Sequence, residues 1–342
     1  MKILVTGGLG FIGSHTVVEL QNVGFDVVVI DDLSNASTEV LNGIEAITGK
    51  KPDFEQIDLR DKAAVQDFFK KYSDVSGVIH FAASKAVGES VQNPLLYYEN
   101  NLGALVYILQ ELQKKDAANF IFSSSCTVYG QAEKMPISED TPVQAAMSPY
   151  GNTKQIGEEI IRDVAKVSNI TAILLRYFNP VGAHPSANIG ELPLGVPQNL
   201  VPFITQTAIG LREQLSVFGD TYPTPDGTCV RDYIHVVDLA KAHVTAMQRL
   251  TEHKNTEKVE VFNLGTGKGN SVLEVIKAFE DATGQKLNYK IVPPREGDVT
   301  EAYADTTKAN EVLGWKAELS LTDALGSAWK WEQKVRGDGK GK

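Results

Sequence analysis

The sequence predicts an α/β fold: a doubly wound parallel sheet joined to a smaller α/β lobe that interleaves with it. Three observations carry this. Short apolar runs alternate with helix-length stretches through the first half of the 342 residues, the pattern of successive βαβ units. The runs are apolar nearly throughout instead of every second residue, as strands covered on both faces require. The first run breaks into glycines at its end, within Thr6-Gly7-Gly8-Leu9-Gly10-Phe11-Ile12-Gly13.

That first run, Met1–Val5, reads as the opening strand, and the glycines as the turn into a helix over Gly13–Asn22. Gly7 suits a tight turn, Gly10 a close approach of backbone to a pyrophosphate, and Gly13 close packing of helix on strand. A second strand, Asp26–Ile30, ends in Asp31, about 20 residues beyond the glycines, where an acid holds adenosine ribose hydroxyls. An acid there disfavours a 2′-phosphate, so NAD is expected over NADP. Further strands are expected at Gly77–Phe81, Asn119–Phe122 and Thr171–Arg176, with helices at Lys62–Lys71, Pro94–Lys114 and Ser148–Val167. After Asn179 the prolines Pro180, Pro185, Pro193, Pro197 and Pro202 mark a loop-rich stretch. We therefore read residues 1–178 as a dinucleotide-binding domain and 179–342 as the smaller lobe. The run Lys258–Asn263 is expected to return to the main sheet as part of a segment around 230–265, and Val335–Lys342 to be frayed.

Composition bounds the function. With 42% hydrophobic and 22% charged residues, the chain reads as a soluble globular protein. A net charge of −10 argues against broad nucleic-acid or anionic-membrane binding, and makes any phosphate site depend on a few local cations. The first apolar run is too short for a secretory signal, and none approaches a membrane span, so a cytoplasmic protein is expected. The two cysteines, Cys126 and Cys229, lack metal or redox spacing and are expected as free thiols. The six histidines show no paired ligand spacing, so no metal is expected.

Tyr150-Gly151-Asn152-Thr153-Lys154 places a tyrosine and a lysine at i and i+4 on one helix face. An ammonium beside the phenol stabilises the phenolate and lowers its pKa, making Tyr150 a candidate general base for a sugar hydroxyl. Phe120–Ser125 is an apolar strand ending in hydroxyls at the carboxyl edge of the sheet, where Ser125 can relay or orient that proton.

Thr6–Gly13, the triple serine followed by Cys126-Thr127-Val128-Tyr129-Gly130, and Tyr150–Lys154 resemble the extended short-chain dehydrogenase/reductase family. Phe81–Ser90, Arg176–His184 and Asp226–His235 are similar to its UDP-galactose 4-epimerase branch, and the likeness runs to about Trp331. The resemblance implies a Rossmann-type NAD site in which Phe11 and Ile12 line the pyrophosphate turn and Asn35 joins Asp31 at the ribose. It further implies that Asp58 and Leu59 flank adenine, that Phe81, Ala82, Lys85 and Asn100 hold the cofactor along its length, and that Phe178 packs near the nicotinamide. For a UDP-hexose it implies Asn179, Asn199, Leu200 and the strand Ser216-Val217-Phe218 at the nucleotide, Arg231 and Arg295 at the diphosphate, and Asp298 on the uridine side. Guanidinium forks suit phosphate oxygens in so acidic a chain.

The implied reaction is inversion at carbon 4 through a 4-keto sugar. Tyr150 takes the hydroxyl proton, hydride passes to tightly held NAD, the sugar turns over, and hydride returns to the opposite face. Ala302 aligns with a family position bordering the 2-substituent, where a small residue implies room for N-acetylated sugars. The family also implies a homodimer through the helices near Pro94–Lys114 and Ser148–Val167. Alternatives are a nucleotide-sugar dehydratase, a uronic-acid epimerase or decarboxylase, and a non-catalytic NAD sensor. Cys126 and Thr127 stand where related dehydratases carry two acids, and a sensor has no use for both Tyr150 and Lys154.

Overall fold

A computed structural model describes residues 1–295 and 298–337. The middle of the Pro293–Asp298 turn and the chain end from 338 lie outside the described residues. In the first half, β1 (Lys2–Thr6), α1 (Phe11–Asn22), β2 (Asp26–Asp31), α2 (Glu39–Thr48), β3 (Asp53–Gln56), α3 (Lys62–Lys71) and β4 (Val75–His80) follow one another. Then come α4 (Val87–Gln92), α5 (Pro94–Leu112), β5 (Ala118–Ser125), α6 (Pro149–Lys166), β6 (Ile170–Tyr177) and β7 (Asn179–Val181). The second half holds α7 (Leu200–Ala208), β8 (Leu215–Phe218), β9 (Val230–His235), α8 (Val236–Thr251), β10 (Val259–Leu264), β11 (Gly269–Ser271), α9 (Val272–Thr283), β12 (Tyr289–Val292), β13 (Glu301–Ala302) and α10 (Leu321–Gly337).

Seven strands form the parallel main sheet, in the order β10-β6-β5-β4-β1-β2-β3. Strand order reverses between β1 and β4, which opens a crevice at their carboxyl ends. The side chains explain the unbroken apolar runs. Ile3, Val5, Val27 and Val29 point to one face, under α1 and α8, while Leu4, Val28 and Ile30 point to the other, with Leu105 and Ile108 of α5. The run Lys258–Asn263 does return to the sheet, as β10 beside β6.

The smaller lobe is built on β9, which pairs with β7, β11 and β13; β8 and β12 form a separate parallel pair. Its core includes Val201, Ile204, Val217, Phe279 and Trp329.

Three details differ from expectation. Helix α1 begins at Phe11, not Gly13. Pro202 lies inside the first turn of α7, not in a loop, because the first amides of a helix need no partner there. Val335–Gly337 continue α10, with Arg336 Nε donating to the buried Glu332 at 3.3 Å. No helix of the described residues is long and apolar enough to cross a membrane.

Candidate functional site

The crevice is lined by the turns that follow β1 and β4. Gly7 has φ +65°, and a Cβ there would meet the Ala82 backbone nitrogen at 2.8 Å, so the two turns touch. A Cβ on Gly13 would come within 2.2 Å of the Gly7 carbonyl; glycine is required for α1 to start this close. A Cβ on Gly10 would meet only the Gly7 carbonyl, at 3.2 Å, and otherwise point into open space over the turn. Gly10 caps α1 without a side chain bonded to it, leaving the positive helix end and first-turn amides to face an anion. Phe11 and Ile12 are half-buried beside them.

Asp31, 8% exposed, accepts from the amides of Leu9 at 3.1 Å and Leu33 at 3.0 Å, tying the glycine turn to the end of β2. Burial raises its carboxyl above the ordinary value, against the pull of those amides. Asn35 is exposed beyond it. Asp58 is held bidentately by Arg60, at 2.6–3.0 Å, and this keeps its carboxyl low; Leu59 is buried. Phe81 lies 4.7 Å from the His243 ring, and Asn100 donates to Ser84 Oγ at 2.9 Å. Lys85 sits 3.6 Å from Glu191 Oε1, which also accepts from Asn199 at 2.9 Å, so residues expected on opposite sides of the cleft share one carboxylate.

Tyr150, Lys154 and Ser125 come together at the carboxyl edge of β5. Ser148 caps α6 through its hydroxyl to the Gly151 amide at 3.1 Å and Pro149 fills the first position, which starts the helix so that Tyr150 and Lys154 face the sheet. Lys154 Nζ donates to the Ser123 carbonyl at 2.8 Å and stands 4.9 Å from the Phe122 ring and 5.8 Å from the Tyr150 ring. Ser125 Oγ accepts from the Thr127 amide at 3.2 Å and lies beside the Tyr150 phenol, favouring its anion.

The electrostatics differ from the simple expectation. Burial pushes the Tyr150 phenol well above its ordinary value, with the neighbouring Tyr177 adding to the rise. Burial also pulls Lys154 down to about 8, Glu158 opposing it. Desolvation therefore dominates at both groups: the same dry wall that brings the pair together disfavours charge on each. Cys126, one residue past Ser125, is pushed up to about 12 by burial and is an inert thiol.

On the far side, Phe178 is buried among Val128, Tyr129, Ile137 and Ala304, with Ala302 against the same cluster. Asn179 opens β7, and Asn199 and Leu200 stand at the start of α7. Alternation along β8 turns Val217 into the core and leaves Ser216 and Phe218 half-exposed, so Val217 offers a ligand only its backbone. Arg295 stacks on Phe218, 4.5 Å from guanidinium to ring, and pairs with Asp298 at 3.0 Å. Arg231 pairs in register with Ala302, donates to the Val230 carbonyl at 2.8 Å, and its charge pulls on the Cys126 thiol against burial. Tyr303 turns away, against Gly269.

Two features escaped the sequence reading. Glu158 and Arg176 form a buried ion pair behind Lys154, although Glu158 at i+4 from Lys154 was visible as a third residue on that face. Glu191 bridges Lys85 and Asn199 from 106 and eight positions away, and no local spacing signals it.

The family described as GDP-mannose 4,6 dehydratase matches residues 4–327. A UDP-glucose 4-epimerase of Bacillus subtilis is 50% identical over 333 residues, 97% of each chain. A UDP-glucose 4-epimerase from Stenotrophomonas maltophila, solved with NAD and formylated UDP-arabinopyranose, superposes with a TM-score of 0.95 at 46% identity, covering 99% of this chain and 100% of the other. One from Bifidobacterium longum, in complex with NAD+ and UDP, gives 0.93 at 48% identity, over 99% and 100%.

Proposed function

The chain belongs to the UDP-glucose 4-epimerase family of extended short-chain dehydrogenase/reductases, and on that premise we propose that it interconverts UDP-galactose and UDP-glucose. The observation that carries this reading is the convergence of Tyr150, Lys154 and Ser125 at the carboxyl edge of the sheet whose first turn is the glycine turn.

NAD fits the turn, since the open space over Gly10 and the uncapped end of α1 suit a pyrophosphate. Bound there, it supplies a reversible hydride acceptor for carbon 4 of the sugar. The glycine turn holds the pyrophosphate with Phe11 and Ile12 beside it, Asp31 and Asn35 take the adenosine ribose, and Asp58 and Leu59 flank adenine. Phe81, Ala82, Lys85, Asn100 and Phe178 line the rest of its length.

As a phenolate, held by Lys154 and by the positive charge an oxidised nicotinamide would add, the Tyr150 oxygen takes the proton of the sugar 4-hydroxyl, directly or through Ser125 Oγ, and returns it to the same oxygen once the sugar has turned. Lys154 lies beside the phenol as the cation that offsets its charge, against the desolvation that disfavours it. Arg231 and Arg295 anchor the diphosphate while the sugar turns. Asn179, Asn199, Leu200, Ser216, Phe218, Asp298 and the backbone of Val217 hold the nucleotide. Two-way transfer leaves no net redox change. The position after Ser125 holds Cys126, whose thiol gives a dehydratase no usable acid.

The side chain of Ala302 is small where it borders Phe178 and Arg231, and Tyr303 lies elsewhere; we read this as room for an N-acetyl group. We also propose a cytoplasmic homodimer joined through α5 and α6. The exposed side chain of Leu95 in the first turn of α5, with Val91 exposed in α4 just before it, supports it. The division of the chain near residue 178 belongs to the same reading, with α8 and β10 of the 230–265 segment returned to the first domain and β9 kept in the smaller lobe.

Product analysis of the purified protein tests it. Both UDP-galactose and UDP-GalNAc are expected to convert to their gluco epimers. Conversion of neither, with NAD supplied, contradicts the substrate class.

A further inference from the structure

Three side chains four residues apart on α6 meet the last three residues of β5. Tyr150 faces the Ser125 hydroxyl, Lys154 Nζ donates to the Ser123 carbonyl at 2.8 Å, and Glu158 Oε1 accepts from Ser124 Oγ at 2.6 Å. The strand end and the helix face are thereby pinned residue by residue. Glu158 also accepts from Arg176 Nε at 2.8 Å, Arg176 Nη2 at 2.5 Å and Arg162 Nη2 at 3.0 Å. Arg176 donates in turn to the Tyr129 hydroxyl at 2.9 Å. The Glu158 and Arg176 side chains are 3% and 4% exposed. A pair so deeply buried pays for most of its attraction in lost hydration, so net stability is a poor account of its placement.

We propose that Glu158 is a positioning residue for the epimerisation: it sets the height of α6 on β5 and supplies the buried negative charge that keeps Lys154 an ammonium beside Tyr150. Arg176 governs how much of that charge reaches Lys154. The proposal rests on the reading of Tyr150 and Lys154 given above.

The groups around the pair leave that task to Glu158. From β4 comes His80, which burial pulls down to about 3 and which is therefore neutral at working pH. From β6 come Arg176 and Tyr177, from α5 Tyr97, and from the turn after β5 Cys126; burial pushes both phenols and the thiol up, so all three are neutral. Among the described residues Glu158 is the carboxylate that acts on Lys154, opposing the burial that pulls the ammonium down. Glu158 itself is held ionised by Arg176, Ser124 and Arg162.

The test is the pH profile of kcat and KM for the NAD-loaded protein, compared among wild type, Glu158→Gln, Arg176→Met and the double variant. Loss of the anion is expected to move the alkaline limb of kcat down by about one pH unit in Glu158→Gln and in the double variant. Arg176→Met strips the carboxylate of its strongest partner and is expected to move the limb upward. KM is expected to move less than kcat in all three. If Glu158→Gln fails to fold because Arg176 is left buried and unpaired, the double variant, which removes both charges, decides the matter. An alkaline limb that stays put, or moves the same way in both single variants, overturns the proposal. Tyr150→Phe, measured alongside, tests the underlying reading separately: retained turnover there defeats that reading, whereas its loss with an unmoved Glu158→Gln profile defeats only the positioning role.

Discussion

Ala302 is the side chain on which the proposed substrate range turns. It packs against the cluster of Phe178 and Tyr129, and its strand partner in register is Arg231. On the proposed reading, a tyrosine at 302 would fill the volume beside the sugar's 2-position and leave Tyr150 and Lys154 in place. Ala302→Tyr is expected to cut kcat/KM for UDP-GalNAc at least tenfold while leaving UDP-galactose within about threefold, a size discrimination in the range typical of pocket-filling changes. Steady-state kinetics on the two substrates check this, and equal loss on both would defeat the steric argument. Individual residues were legible in the sequence where a local pattern carries them, as with Tyr150 and Lys154 at i and i+4. They were not where the contact is made only by folding, as with Glu191 between Lys85 and Asn199.

Among the elements, the turn into α1 tolerates little change. A methyl on Gly13 meets the Gly7 carbonyl, which is backbone and cannot move aside without reopening the turn. Gly13→Ala is expected to destabilise the protein by about 2 kcal/mol and to lower the NAD retained through purification, read by thermal unfolding and by absorbance of released cofactor. Gly326→Ala in α10, where a Cβ meets nothing within 4 Å, is the contrasting control and is expected to stabilise by about 0.5–1 kcal/mol. Buried strands were legible because both their faces are covered; β5 and β6 extend only a few residues beyond the runs that announced them. The edge strand β3, Asp53-Phe54-Glu55-Gln56, was not, because a half-exposed edge tolerates polar residues. The small sheet on β9 was equally hidden, since β7, β11 and β13 reach it from distant parts of the chain.

The whole molecule carries an unusual pH liability. Burial pulls His15 and His80 down to about 3, and His235 and His243 down to about 4. The unfolded chain takes up these protons near pH 6.5, whereas the folded chain refuses them until far lower. The unfolded state therefore binds more protons across that window, and stability falls as pH drops below about 6.5. Each histidine contributes a slope of up to about 1.4 kcal/mol per pH unit, so the four together approach the whole stability of an ordinary domain within two units. Thermal unfolding is expected to be level between pH 7 and 8 and to fall steeply between pH 6 and 4.5. A level transition temperature down to pH 5 would contradict this. Acid loss of Glu158, whose carboxyl Arg176 holds low, comes only below that window.

The central claim, that carbon 4 is inverted by removing and returning its own hydrogen, is tested most directly with UDP-galactose deuterated at carbon 4. The account predicts UDP-glucose that retains the deuterium at carbon 4, with no exchange into water. Deuterium lost to solvent, or a deoxygenated product in place of UDP-glucose, would contradict it.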